Sequence, residues 1–265
     1  HLADLGDHPE PLPDIKLMVL GNGRIGKTQI VNRLRGEAFE PNADSTHGIM
    51  TTTAPVPGGE GQFNIWDFGG QDIYHGTHAL FLKSRAVFML VWTPDSDDAT
   101  THEHNGMEFR NQPLSWWLDY VRRFGDAESP LIVVQNQLDR FGDRGDHDAI
   151  RAVRDELQFC RTLAYSAQDD DGRGALDDHL KSAAQRFNPP LIGKGRLAVL
   201  REIQSLQEVD RQAALTGKPK QHRIMSRADF NARCEGTGQV SNTTQFLHFL
   251  HNAGIVFWRE GLFNG

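Results

Sequence analysis

Short, predominantly apolar runs punctuate this chain, separated by longer stretches whose apolar residues recur every three or four positions. The runs 15–20, 62–67, 86–92, 130–135 and 162–165 have strand length, and Ala86-Val87-Phe88-Met89-Leu90-Val91-Trp92 is the clearest of them. Runs so short and so rich in apolar residues suit buried strands, whereas helices need a longer one-sided stripe. Each run is followed by a loop and then a helical or polar stretch. The pattern predicts an α/β fold with a mostly parallel sheet, helices on both faces and ligands at the carboxyl ends of the strands.

Between Trp92 and Trp116 the segment 93–106 is polar and without periodicity, which predicts a long surface loop. His102 and His104 within it suit a solvated surface better than a metal pair. Trp116 and Trp117 open a helix running to Phe124, and core packing explains at least one of them. Pro189, Pro190, Gly193 and Gly195 mark a break, so the first unit is expected to end at residue 188, with linkers at 1–13 and 189–196. In the remainder, 197–265, Leu197, Leu200, Ile203, Leu206 and Val209 form one helical stripe. Ser226 and Asn242 are cap residues for two further helices, and Gly254 ends the last. Ile255–Trp258 and Leu262-Phe263 around Arg259-Glu260-Gly261 predict a hairpin, giving a small winged-helix pattern. Its would-be recognition helix, 241–253, holds no Lys or Arg, so a protein-facing role is expected and nucleic acid is not.

At 265 residues there is room for one large unit and one small one. A net charge of −7 and a pI near 5.9 argue against nucleic acid or anionic membrane as a general partner. The two cysteines, Cys160 and Cys234, lack any ligand spacing and fit a reducing, cytoplasmic compartment. No apolar run approaches the roughly 20 residues of a membrane span. The start has neither an initiator Met nor a leader pattern, which reads as a piece of a longer polypeptide.

The first apolar run leads into Gly21-Asn22-Gly23-Arg24-Ile25-Gly26-Lys27-Thr28, the spacing G-x-x-x-x-G-K-T. Glycines let such a loop curl until its N–H groups, with that of Gln29, face phosphate oxygens. Lys27 adds a point charge, Thr28 offers a hydroxyl to Mg²⁺, and the helix that follows presents its N-terminus. Gly21, Gly23 and Gly26 also satisfy the dinucleotide pattern G-x-G-x-x-G. That reading requires an acidic residue at a strand end about 20 residues on, where the chain instead has the loop 39–44, and it leaves Lys27-Thr28 unexplained. Asp67-Phe68-Gly69-Gly70-Gln71 follows the next run as D-x-x-G-Q. Asp67 can hold a water on Mg²⁺, Gly70 can bring its N–H to a γ-phosphate, and Gln71 can orient an attacking water.

Asn136-Gln137-Leu138-Asp139 resembles the guanine-reading N-K-x-D motif of small G proteins, with Gln137 in place of the lysine whose stem covers the base plane. A carboxylate at Asp139 can accept from guanine N1–H and its 2-amino group, a pairing adenine lacks. Asn136 would brace the loop, and Ser166-Ala167 matches the element that sets a backbone N–H at guanine O6. In order and spacing these segments resemble a Ras-like G domain. Thr46-His47-Gly48-Ile49 and the stretch 67–78 narrow the likeness to the Roc domain over 14–188, with 195–265 similar to the first part of the COR module.

That resemblance implies a Roco protein, a Mg²⁺-dependent GTPase that binds GTP and GDP and works as a switch. Lys27, Gln71 and Thr46 would serve catalysis, and Thr28, Thr46 and Asp67 the metal, with Thr46 as the switch threonine. It implies further domains of the same polypeptide, such as leucine-rich repeats, the rest of COR or a kinase, and it allows a homodimer of the full-length protein. A scaffold that binds guanine nucleotide and barely hydrolyses it is the alternative. Arg85, Arg110, Arg122, Arg123 and Arg140 are each conceivable as a charge-stabilising arginine and each explicable as a surface ion-pairing residue.

Overall fold

The computed structural model describes residues 4, 9–12, 14–41, 48–70, 85–104, 107–125, 128–187, 189–219, 221–222 and 224–258, and for 102, 104, 107–109, 214 and 215 the main chain alone. The chain divides into two compact units. One holds Pro13–Asn188, and the other joins His1–Leu12 to Pro189–Gly265.

In the first unit a six-stranded sheet has the order β3-β4-β2-β5-β8-β9, comprising β2 (Asp14–Leu20), β3 (Ile49–Pro55), β4 (Gln62–Phe68), β5 (Val87–Trp92), β8 (Leu131–Gln135) and β9 (Cys160–Ala164). All neighbours are parallel except β3, which runs antiparallel to β4 with Thr52 opposite Ile65. Every residue of β2, β5 and β8 is buried, so their continuous apolar runs are strands covered on both faces. Alternate side chains go to opposite faces. Leu17, Val19, Ile65, Met89 and Ile132 pack under α1 (Lys27–Leu34) and α5 (Arg173–Arg186). Met18, Leu20, Trp66, Phe88 and Leu90 pack under α2 (Leu114–Phe124) and α4 (Asp148–Val153). Trp117 is in that second core and Trp116 is half-buried beside it. Among the described residues α3 (Leu138–Phe141) is a single α-helical turn.

Two segments depart from the expected pattern. β3 was not foreseen because it is an edge strand of mixed polarity, paired on one side and largely exposed, so no apolar run marks it. The expected loop over 93–106 instead contains β6 (Thr101–His104), which pairs with β7 (Met107–Arg110) as an antiparallel ribbon. Its cross-strand hydrogen bonds come from the main chain and need no apolar face, which is why hydropathy is silent there.

In the second unit β1 (Glu10–Pro11) pairs with β10 (Leu191–Ile192), so residues expected as linkers at both ends of the first unit form one ribbon. Asp4 accepts from Arg196 Nε at 2.7 Å and from Ser241 N at 2.9 Å, and both charged residues are buried. Three helices follow, α6 (Lys194–Leu215), α7 (Arg227–Thr237) and α8 (Thr243–Asn252), packed through Leu200, Ile203, Phe230, Cys234, Phe246 and Leu250. The side chains of Ser226 and Asn242 accept the N3 amides of Asp229 and Gln245 as N-caps. The expected apolar stripe of α6 leaves the core after Ile203. Leu206 is half-buried and Val209 is 53% exposed. Residues 255–258 form no strand, and the other half of the expected hairpin lies outside the described residues. Among the described residues no helix is long and apolar enough to cross a membrane.

Candidate nucleotide site

The turn out of β2 is fixed by what surrounds it. Gly21 has φ +134°, and a Cβ there would lie 2.1 Å from the carbonyl oxygen of Val91 at the end of β5. Gly26, with φ +87°, caps α1, and a Cβ there would lie 2.5 Å from Asn136 Nδ2. Gly70, beyond β4, has room for no Cβ either, because it would meet the Asn22 carbonyl carbon at 2.2 Å and Gly23 N at 2.3 Å. Three segments that follow or end strands thus close on one loop, through main chain at Gly21 and Gly70 and through the Asn136 side chain at Gly26.

Asn22 holds that loop from below. It is 3% exposed, its Nδ2 donates to the carbonyls of Ser96 and Gln112 at 2.8 Å each, and its Oδ1 accepts from Gln112 N at 2.9 Å and Trp117 Nε1 at 3.0 Å. Its side chain is therefore a clamp on the β5–α2 connection, and its main chain is what the loop can offer a ligand. Lys27 is buried and donates to the carbonyls of Gly21 at 3.0 Å and Asn22 at 2.6 Å. Burial lowers its pKa to about 8 against the opposing pull of Asp67. Thr28 Oγ1 donates to Asp67 Oδ2 at 2.6 Å.

The other end of the site is made by the loops after β8 and β9. Asn136 Nδ2 donates to the Ile25 carbonyl at 2.7 Å and its Oδ1 accepts from Ala167 N at 3.2 Å, so one buried side chain ties the phosphate loop to the Ser166-Ala167 turn. Ser166 Oγ donates to Asp139 Oδ1 at 2.7 Å. Arg33 Nε supports the same turn by donating to the Ala167 carbonyl at 2.9 Å. Gln137 has φ +60°, a left-handed turn that starts α3.

Between these ends lies a cleft of about 380 Å³, a size typical of small-molecule sites. Gly23, Arg24, Gly26, Lys27, Thr28, Gln29, Gly70, Asn136, Gln137, Asp139 and Ala167 all line it, so residues scattered over the sequence from 23 to 167 converge. Asp67 and Ser166 support lining residues through the hydrogen bonds above, while Gly21, Asn22 and Ile25 shape the loop behind them. Thr46 and Gln71 lie outside the described residues. Sequence reasoning missed Phe39, Pro41 and Gln168 as lining residues, and Glu40, which Gln29 pins over the cleft by two hydrogen bonds of 2.8 and 3.0 Å. Of the five arginines weighed, Arg140 lines the cleft, whereas Arg85 and Arg122 pair with surface carboxylates.

The family model described as "Ras of Complex, Roc, domain of DAPkinase" matches residues 16–139, from β2 through Asp139. Over those residues, a little under half of the chain, it is similar to a Roc domain. Among its relatives are the probable serine/threonine-protein kinase roco5 of Dictyostelium discoideum, 27% identical over 175 residues, and a Roc-COR-CHAT protease of unknown prokaryotic origin, 29% identical over 152 residues. Those matches take in 49% and 51% of this chain but 6% and 14% of the relatives, so the chain spans a small part of their length. Among solved structures, Methanosarcina barkeri Roco2 RocCORdC bound to GDP is similar at a TM-score of 0.70 and 22% identity, over 97% of this chain and 72% of that one. At that identity the likeness is one of fold. It reaches beyond the Roc domain into the second unit.

Proposed function

We propose that this Roc domain binds GTP and GDP with Mg²⁺ and hydrolyses GTP as a switch within a larger Roco protein. The observation that carries the reading is the convergence in one cleft of a phosphate-binding loop, a buried lysine, the Thr28–Asp67 pair at 2.6 Å and, at the far end, Asp139 held by Ser166.

Lys27 and the N–H groups of residues 23–29 take the β- and γ-phosphates. Lys27 exchanges its bonds to the Gly21 and Asn22 carbonyls for phosphate oxygens, and binding restores the charge that burial disfavours. Thr28 and Asp67 are oxygen donors side by side at the cleft, a set that suits a hard cation, and Thr46 joins them in this proposal. When bound, Mg²⁺ neutralises charge on the phosphate oxygens. Gly70 brings its N–H to the γ-phosphate and Gln71 orients the attacking water. Asp139 accepts from the guanine edge, Asn136 keeps the phosphate loop in place through the Ile25 carbonyl, and the Ala167 N–H exchanges its bond to Asn136 Oδ1 for O6. Phe39 adds an apolar wall. The second unit, read as the beginning of COR, receives the nucleotide state together with flanking domains of the polypeptide.

The test is displacement of fluorescent GDP by GTP, GDP and ATP with Mg²⁺, followed by phosphate release on the same sample. Guanine-selective binding with slow release that Gln71→Leu weakens supports the switch. Selective binding without release favours the scaffold, and ATP competing as well as GTP ends the guanine assignment.

A further inference from the structure

The base end of the cleft lacks the cation that its sequence motif leads one to expect, because Gln137 is uncharged. One turn on, Arg140 supplies one. The Arg140 amide donates to the Gln137 carbonyl at 3.0 Å, so the single turn of α3 brings both residues to the same wall. Its guanidinium is oriented from three sides. It is 3.1 Å from Asp95 Oδ2, donates to Gln137 Oε1 at 3.4 Å, and lies 4.6 Å from the centroid of the Phe141 ring. With 61% of the side chain exposed, the ion pair and the hydrogen bond hold it weakly, and a ligand can recruit it at little loss. Asp139, Ala167 and Gln168 line the same cleft.

We propose that Arg140 is a base-binding residue that covers the face of the bound base, doing with a planar guanidinium what Gln137 cannot do with an amide. Asp139 reads the edge of the base and Arg140 its face. A guanidinium suits this place because it is flat, permanently charged and weakly hydrated, so it stacks on an aromatic ring where an ammonium contributes only a point charge. The assignment rests on the nucleotide reading of the cleft but not on the choice of base, since every base has a π-face.

The experiment measures GDP and ADP affinity of the wild-type chain, Arg140→Ala and Arg140→Lys at about 50 and 500 mM NaCl, salts that separate screened attraction from contact. Arg140→Ala is expected to weaken GDP about fivefold or more at both salts, the range of a desolvated cation–π contact. It should weaken ADP by the same factor and leave the melting temperature within about 1 °C, as for most exposed positions. Arg140→Lys should recover less than half of the loss. Unchanged affinity in Arg140→Ala, a loss that vanishes at high salt, or full recovery with lysine would each overturn the proposal. Equal binding of GDP and ADP by the wild-type chain would remove the guanine assignment while leaving Arg140 tested. Absence of all nucleotide binding would overturn both.

Discussion

At its phosphate-loop end the cleft is bounded by main chain that buried strands hold in place, whereas at the end walled by Gln137, Asp139 and Arg140 it is bounded by side chains on a half-buried or exposed turn. Gly21, Gly26 and Gly70 each abut a neighbouring segment so closely that no Cβ fits, and Asn22 is hydrogen-bonded on both sides of its amide. Asp139 and Arg140 are held by Ser166 and Asp95, groups that can be exchanged without moving the backbone. The first end is therefore coupled to folding and indifferent to the base. The second is nearly independent of folding and is where bases are told apart. Substitutions should separate the two, with stability and all nucleotides failing together at one end, and at the other binding changing without stability, the GDP-to-ADP ratio shifting where Asp139 is disturbed.

The largest effect is expected from Gly21→Ala. Its φ of +134° is a glycine conformation, and the added methyl would lie 2.1 Å from the Val91 carbonyl oxygen, which belongs to a fully buried strand and cannot yield. Strain and overpacking together amount to about 3 kcal/mol or more. Thermal melting should show a fall on the order of 10 °C or no folded Roc domain, and a variant as stable as the parent would break the comparison at its stronger end. Asn22→Ala comes next. It removes the acceptor used by Trp117 Nε1 and Gln112 N and the donor used by two carbonyls, a loss of about 2–3 kcal/mol. Tryptophan fluorescence should register the change at Trp117 directly, and GDP and ADP should weaken by equal factors.

This contrast also explains what could be read from the sequence. The phosphate loop was legible because glycine spacing and the buried run before it are local properties, and β2, β5 and β8 were legible because burial on both faces leaves a mostly apolar run, broken in β2 only by buried Asp14 and Lys16. The clamp by Asn22 was not, since its partners lie 74 to 95 residues away and any short polar residue satisfies the loop pattern. Nor was β3, half-exposed at a sheet edge, nor the ribbon of Glu10–Pro11 with Leu191–Ile192, whose two-residue strands carry no periodicity. At the base end, Asn136 and Asp139 stood out by motif. Arg140 was one of five arginines alike in sequence until the turn of α3 set it at the cleft.

A smaller effect, and one that needs no substitution, comes from pH. Burial lowers the Lys27 pKa from 10.5 to about 8, so in the free protein the ammonium is present below pH 8 and is lost above it, while phosphate binding requires it charged. Affinity for GDP should be flat from pH 7 to just below 8 and then fall, by about tenfold for each further unit, as binding takes up a proton. Isothermal titration in buffers of different ionisation enthalpy would detect that proton. Lys27→Ala should bind weakly at every pH and without the slope, and ADP should follow GDP throughout. A slope that survived in Lys27→Ala would place the titrating group elsewhere.

The smallest effect should be the most selective. Ser166→Ala deletes the hydroxyl that donates to Asp139 Oδ1 at 2.7 Å but keeps the turn, which Asn136 and Arg33 hold through the main chain of Ala167. Asp139 then keeps its charge and loses its orientation. One hydrogen bond to a carboxylate contributes on the order of 1 kcal/mol, so GDP should weaken about threefold to tenfold. ADP offers no donor pair to Asp139 and should be untouched, so the ratio of the two affinities moves while melting stays within a few degrees. If Ser166→Ala weakened both nucleotides equally, the serine would be part of the frame, and the division between a backbone-built end and a side-chain-built end would fail at the residue where it is most finely drawn.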